Sequence, residues 1–575
     1  MILINADTCL GIQNAMARSN KQFKKENAML KSKSGTRHWL RLAQSVGQLT
    51  MTLALAIGTA QAQDEAKPLK LTTTADHSKF KELQREFTSG PDLTKVCLSC
   101  HTEAAGQIHR TKHWKWEYKN PDTNQLLGKK NVVNNFCISV ASNEAACNSC
   151  HIGYGWKDAS FDFKSEENVD CVVCHDTTGN YKKPAGFAGN VITKDTEYPP
   201  GSGKILKAID LSKIAQKVGK SSRDTCGGCH FNGGGGDGVK HGDMDSSLAA
   251  PEKSVDVHMD ASGLDFTCAT CHKTSSHDVA GSRYTPTAKD AAGAHVRGNV
   301  DNSNPATCAS CHSNAPHKQD ARLNQHASKI ACQTCHIPAF ARGGIATKMR
   351  WDWSTAGQRD ANGQHIVRKD AKGRITYESR KGDFVLEENV TPEYLWFNGD
   401  VTYTLLTDKI DTSQPVVRIN SLGGSASDGK SMIWPVKRFG GKQPYDTENK
   451  TLITPHTAGN DDTGYWKNLE WNKAIEVGMK SSGTPYSGKF DFIQTEMYWP
   501  ITHMVAPKEQ AVGCVECHAK DSRLAGISGV YMPGHSANPL VDMAGWGLAL
   551  LTLLGVLAHG AIRLVLRNKV QGESK

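Results

Sequence analysis

Little in this chain could build a large core from protein alone. Phe, Trp and Tyr make up only 7% of it, and apolar residues of all kinds 38%. A typical globular chain is nearer half apolar. A chain of 575 residues with this composition must borrow apolar mass from something that is not amino acid. Spare cysteine is scarce too. Only Cys9 and Cys137 stand outside a repeated motif, which excludes a disulfide framework. A basic footprint for nucleic acid is missing. The net charge of +10 gathers at the ends, with eight Lys/Arg against two Asp/Glu in residues 1–62 and four against one in 563–575. The body between them is close to neutral. Long apolar runs are absent except at residues 543–562, with a shorter one at 49–57.

What is present is a repeat. Cys97, Cys100 and His101 form a unit Cys-x-x-Cys-His. Seven more follow: Cys147, Cys150 and His151; Cys171, Cys174 and His175; Cys226, Cys229 and His230; Cys268, Cys271 and His272; Cys308, Cys311 and His312; Cys332, Cys335 and His336; Cys514, Cys517 and His518. A lone Cys-x-x-Cys fits a redox disulfide or half a zinc site. Here a histidine follows at once in every unit. That spacing suits two thioether bonds to one haem, with the adjacent imidazole on the iron. It predicts eight covalently bound haem c groups, and their rings supply the missing apolar mass. Two propionates on each would make the folded body acidic.

The ends speak of compartment. A basic segment with Lys21, Lys24, Lys25, Lys31, Lys33, Arg37 and Arg41 precedes the apolar stretch 49–57 and then Ala60-Gln61-Ala62, a small-x-small cleavage pattern. Residues 1–62 read as an export signal. The basic part is long, and starting at Met29 would leave Cys9 unmade. The run 543–562 is long enough to span a bilayer, and Arg563, Arg567 and Lys569 follow it. The expectation is a haem body in the periplasm, anchored in the inner membrane by a C-terminal helix. His559 lies within that helix and reads as a helix contact or a ligand to a partner's haem.

Four segments follow: the signal at 1–62, a haem-dense domain with seven units at 63–336, a haem-wrapping region with the eighth at 337–535, and the anchor with its tail at 536–575. The fold expected is a multihaem cytochrome c, mainly α-helix and irregular loops wrapped around eight haems. Few short strands are expected, and one C-terminal transmembrane helix. Two short gaps predict close pairs, the second unit with the third and the sixth with the seventh. Trp351, Trp353, Trp396, Trp434, Trp466, Trp471 and Trp499 are expected to pack against haems.

The second axial position decides what each iron does. A second histidine makes an electron carrier, and an exchangeable ligand makes a reaction site. The distal candidates are His113, His241, His258, His277, His295, His317, His326, His456 and His503, with His77 in the polar lead-in also a ligand candidate. Sequence alone leaves their partners open.

The eight units in this order resemble the octahaem tetrathionate reductase family of periplasmic cytochromes. So do residues 128–137 (GKKNVVNNFC), 153–163 (GYGWKDASFDF) and 229–241 (CHFNGGGGDGVKH). The likeness spans roughly residues 90–520 and is most specific before His336. The C-terminal anchor is a departure from it, and bears on how electrons arrive. The resemblance implies seven haems with two histidine ligands, and a second haem with lysine on its distal side. Lys240 best matches that lysine. Lys157 is the rival, but lies only six residues after its own proximal His151. Asp237 would then orient the amine or take its proton. Cys137 is either a small buried side chain or a thiol beside the second haem that exchanges with a sulfur substrate.

The function implied is reduction of a small oxyanion, tetrathionate to thiosulfate, with nitrite or hydroxylamine as other substrates of the same site type. Electrons would come from a membrane or periplasmic donor such as a quinol-oxidising cytochrome. The alternative is a non-catalytic electron conduit with every iron held by two histidines.

Overall fold

The computed structural model describes residues 75–289, 306–459, 461–536 and 538–572. The signal segment, Cys9 and His295 lie outside them. The described chain forms two compact units. One comprises Ala75–Glu516 and Arg523–Tyr531; the other includes Cys517–Ser522 and the C-terminal helix.

Every Cys-x-x-Cys-His unit sits on a helical turn. The first closes α1 (Gly90–Cys100), which starts on the Ser89 cap with Pro91 in its first turn. The fourth closes α2 (Arg223–His230), held at its start by a Ser222/Thr225 capping box. The others occupy single turns, among them Val172–His175, Cys268–Cys271, Ala309–His312, Cys332–His336 and Cys514–Cys517. Residues three and four apart share one helix face. One turn therefore presents both thiols and the imidazole to the same side, which a single macrocycle requires.

The short gap does join the second and third units, through a bridge between Gly153 and Val169. Sequence spacing missed other neighbours. The thiols of Cys97 and Cys171, Cys150 and Cys229, and Cys226 and Cys268 lie together. First meets third, second meets fourth, and fourth meets fifth.

The expectation of few short strands fails after His336. Eight strands make one sheet: β1 (Thr347–Asp352), β2 (Val367–Lys369), β3 (Ile375–Glu378), β4 (Gly382–Glu387), β5 (Glu393–Phe397), β6 (Val417–Arg418), β7 (Met432–Asp446) and β8 (Phe490–Pro500). Their order is β6-β8-β7-β1-β4-β3-β2, with β5 also on β7. The 15-residue β7 is the spine. It pairs antiparallel with β8 from Val436↔Pro500 to Asp446↔Phe490, and parallel with β1 at Gly440↔Arg350 to Lys442↔Asp352. Pro435 and Pro444 stand outside the stretch that pairs with β1, where a missing N–H breaks no bond to that strand.

Several tryptophans of this region pack on other aromatic side chains. Trp351 and Trp353 stack with ring centres 5.0 Å apart, and Trp434 meets Phe397 at 5.8 Å. Trp471 stacks on Tyr465 at 4.0 Å. Fully burying one large apolar side chain stabilises by about 1.5–3 kcal/mol, so this half owns a real core. The C-terminal helix α3 (Pro539–Gly572) is different. Its stretch Pro539–Leu566 has mean hydropathy 2.0 and is 0% buried, long and apolar enough to cross a membrane.

Candidate functional site

Among the described residues, histidine rings face one another at the first and at the third to seventh units. The ring centres of His77 and His101 are 6.3 Å apart, His175 and His277 6.4 Å, and His113 and His230 6.2 Å. His272 and His503 are 6.3 Å apart, His258 and His312 6.0 Å, and His317 and His336 6.1 Å. A metal–imidazole bond of about 2 Å on each side, plus roughly 1 Å from each nitrogen to its ring centre, separates such rings by about 6 Å. The spacing is that of two imidazoles on one iron. Their other nitrogens are engaged as such ligands need. Nδ1 of His175 lies 2.8 Å from the Gly219 carbonyl, that of His272 2.9 Å from Ala280, and that of His277 2.8 Å from Gln107 Oε1. His503 Nδ1 lies 3.2 Å from Asp243; burial lowers the His503 pKa, that carboxylate raises it, and the net shift of the imidazole is upward. These residues fit haem.

Two distal candidates stand elsewhere. His456 has Nδ1 2.6 Å from the Ser142 carbonyl and Nε2 3.5 Å from Asp461, with no proximal histidine ring facing it among the described residues. His241 packs its ring on Trp499 at 4.9 Å, and burial beside Lys240 and Arg283 pushes its pKa well down. His326 ends the turn Ala321–His326 before the seventh unit. His518 has Nδ1 3.0 Å from the Pro533 carbonyl.

The second unit is unlike the rest. Among the described residues no histidine ring faces His151. Aromatic rings surround it instead: Trp156 at 4.8 Å, Trp114 at 5.2 Å, Trp116 at 5.3 Å and Phe161 at 5.6 Å. One of its nitrogens, Nε2, lies 2.6 Å from the Trp114 carbonyl; the other is buried without a partner. Its backbone is pinned by Lys183, whose amine donates to the carbonyls of His151 at 2.6 Å and Gly153 at 3.0 Å and to Asp170 at 2.9 Å. The Lys183–Asp170 pair is 2% and 0% exposed, and the hydroxyls of Tyr154 and Tyr181 donate to the same carboxylate at 2.8 Å.

Lys240 and Cys137 converge on this unit. Asn134 Oδ1 accepts from the backbone N–H groups of Phe136, Cys137 and Ile138, folding a tight turn that presents the thiol. The thiol donates to the Gly234 carbonyl at 3.2 Å. A Cβ on Gly235 would stand 3.1 Å from that sulfur, and φ of +86° there already favours glycine. The glycine run thus lets the loop close over Cys137 on its way to Lys240. The Lys240 amine lies 4.7 Å from the Trp499 ring centre, and the Arg283 guanidinium 5.6 Å from the same ring. Burial, then Arg283 and Lys129, drive the Lys240 pKa well below its ordinary value, and Cys150 of the second unit opposes them. Lys129 caps the Trp116 ring at 4.1 Å. Burial pushes the Cys137 thiol up, while Lys348, Lys381 and Lys129 pull it down. Burial lowers Lys348 to about 7.

Asp237 does not serve the amine. Its carboxylate accepts from the Ser246 N–H at 2.8 Å and from the Ser246 hydroxyl, which holds the loop instead. Lys157, the rival ligand, is exposed.

The crystal structure of an octahaem cytochrome c from Shewanella oneidensis superposes with a TM-score of 0.68 at 42% identity, covering 78% of this chain and 95% of that one. The chain belongs to the octahaem tetrathionate reductase family. Two family models also match: bacterial cytochrome c over residues 348–521, and cytochrome c554 and c-prime over residues 96–176. No curated protein matches. As a member of this family the chain binds haem c covalently and carries electrons.

In this octahaem cytochrome sequence reasoning missed the aromatic box of Trp114, Trp116, Trp156 and Phe161, and the cations Lys129, Arg283 and Lys348. The signal lay in the family-like stretches 128–137 and 153–163, which carry Lys129, Trp156 and Phe161. Nothing in the local sequence marks Arg283 or Lys348.

Proposed function

We propose that this is a periplasmic, membrane-anchored reductase of small oxyanions with eight haems, its reaction site at the second unit and Lys240 the distal ligand there. One observation carries the reading: six units face a second histidine at iron-bridging distance, while His151 faces none and the amine of Lys240 is driven toward its neutral, ligating form beside Cys150. Bound there, the haem would supply electrons and a Lewis-acid iron. The chain's own residues do the rest. Lys129 and Arg283 surround the amine with positive charge, which suits an anionic substrate. The aromatic rings around His151 exclude water and strengthen that attraction. Cys137, kept protonated by burial, offers a proton or a sulfur partner. With tetrathionate, two electrons would cleave the central sulfur–sulfur bond and release two thiosulfates. Nitrite and hydroxylamine suit the same exchangeable position. The donor would be a quinol-oxidising cytochrome of the membrane or periplasm, met by a body that α3 holds at the bilayer.

The six histidine pairs also favour a second reading, an electron conduit with no substrate. Electron paramagnetic resonance of the oxidised protein with and without cyanide separates the two, alongside viologen-linked assays on tetrathionate, nitrite and hydroxylamine. The reductase reading expects one site whose signal changes on adding cyanide, and Lys240→Ala should lower turnover by about two orders of magnitude. A Lys240→Ala protein with full activity and an unchanged spectrum would exclude Lys240.

A further inference from the structure

We infer that Lys437 is a positioning residue for Lys240, an inference that rests on the proposed ligand role of Lys240. Lysine is almost never fully buried unless paired. Lys437, on the central strand β7, is 0% exposed. Its amine goes to the loop that carries Lys240: it donates to the Val239 carbonyl at 3.0 Å, to the Lys240 carbonyl at 3.1 Å and to Thr347 Oγ1 at 2.6 Å. Thr347, buried on the neighbouring strand β1, donates onward to the Gly238 carbonyl at 2.6 Å. Two side chains of the sheet thus take three consecutive loop carbonyls.

The need for this follows from the loop itself. Gly233 to Gly236 leave the backbone more conformational freedom than any other sequence could. A long, unbranched side chain reaches one fixed point only if its Cα is fixed first. Those three carbonyls follow soon after the glycines and run up to Lys240 itself, so the two donors fix the backbone that bears the amine. A methionine would fill the same space on β7 but leave the carbonyls without donors, and buried carbonyls without donors are costly. The polar lysine is therefore placed for the loop it holds.

The test uses the holoprotein. Lys437→Met should keep eight haem equivalents by pyridine haemochrome and leave the bis-histidine resonances in place. The signal of the second site should shift, and cyanide should bind there about tenfold faster. Thr347→Val, which removes the Gly238 link and the Lys437–Thr347 bond but leaves Lys437 on the Val239 and Lys240 carbonyls, should change the rate in the same direction by less. Lys240→Ala is measured in parallel. If it alters the second-site signal and Lys437→Met does not, the positioning role is wrong while the ligand stands. If Lys240→Ala alters nothing, the ligand assignment itself falls. Should Lys437→Met fail to take up haem, Thr347→Val decides, and an unchanged cyanide rate there overturns the inference.

Discussion

The stretch up to His336 and the stretch after it are built by opposite rules. In the first, helices are short, strands are two residues long, and the recurring geometry is a series of facing imidazoles. Its interior is organised around groups that ligate, such as His151 in its ring of tryptophans. In the second, a 15-residue strand carries a core of closely packed aromatic side chains. The two halves meet where it matters. Asn135 donates to the Phe439 carbonyl at 2.7 Å, and the Trp353 indole donates to the Phe136 carbonyl at 2.9 Å, so the sheet grips the Cys137 turn from both sides. Lys437 grips the Lys240 loop in the same way. The lesson is that the pliant half holds the chemistry and the stiff half sets its geometry.

The largest effect should come from breaking the stiff half. Trp353 is 0% exposed, and Trp353→Ala should lower the unfolding free energy by about 3–5 kcal/mol in a urea melt followed by circular dichroism. If that variant melts like the parent, the sheet is not the support claimed for it. Next is Lys183→Met, which strands the Asp170 carboxylate in the pliant half. Breaking a buried pair in this way is worth about 3 kcal/mol, but here the second-site resonance should change before the global melt does. A purely global effect would erase the contrast between the halves.

A smaller effect depends on pH. Burial raises the carboxyl of Asp245 to about 6, with only Oδ1 satisfied, by the Ser247 N–H and hydroxyl. Its folded pKa lies above the ordinary value of 3.8, so the folded state holds the proton more tightly. The contribution of this group to stability is full below about pH 4 and is lost as pH rises through about 6. Asp245→Asn keeps the cap, and should raise stability by about 1–2 kcal/mol at pH 8 and not at pH 4. The smallest effect is expected at Glu393, whose pairing with Arg438 at 2.8 Å is half exposed. Glu393→Gln should change the melt by under about 0.5 kcal/mol.

The sequence made the haem units legible because their chemistry is local: two thiols and an imidazole within five residues. His113, His258, His277, His317 and His503 could be named as candidates, but not matched, because their partners lie up to about 230 residues away and only folding brings them together. His456 could not be placed from sequence either, because the Ser142 carbonyl that lies against its Nδ1 comes from a segment 314 residues away. Asp237 was misread because proximity in sequence to Lys240 is not proximity of side chains. The sheet was missed for a different reason. Its spine contains Pro435, Gly440, Gly441 and Pro444, all of which signal loops, and a lysine at its most buried position. A Cβ at Gly441 would stand 2.7 Å from Asn135, so that glycine marks a close approach and not a turn.

The tilt between facing rings has one more consequence. His77 lies 13° from His101 and His317 11° from His336, whereas His175 and His277 cross at 80° and His113 and His230 at 70°. Each imidazole donates π density to an iron d orbital set by its plane. Aligned rings raise one orbital and split the pair; crossed rings raise both alike. The aligned sites should therefore give rhombic low-spin spectra, and the crossed ones strongly anisotropic spectra with a large maximum g value. Individual electron carriers along the chain can thus be told apart by magnetism alone.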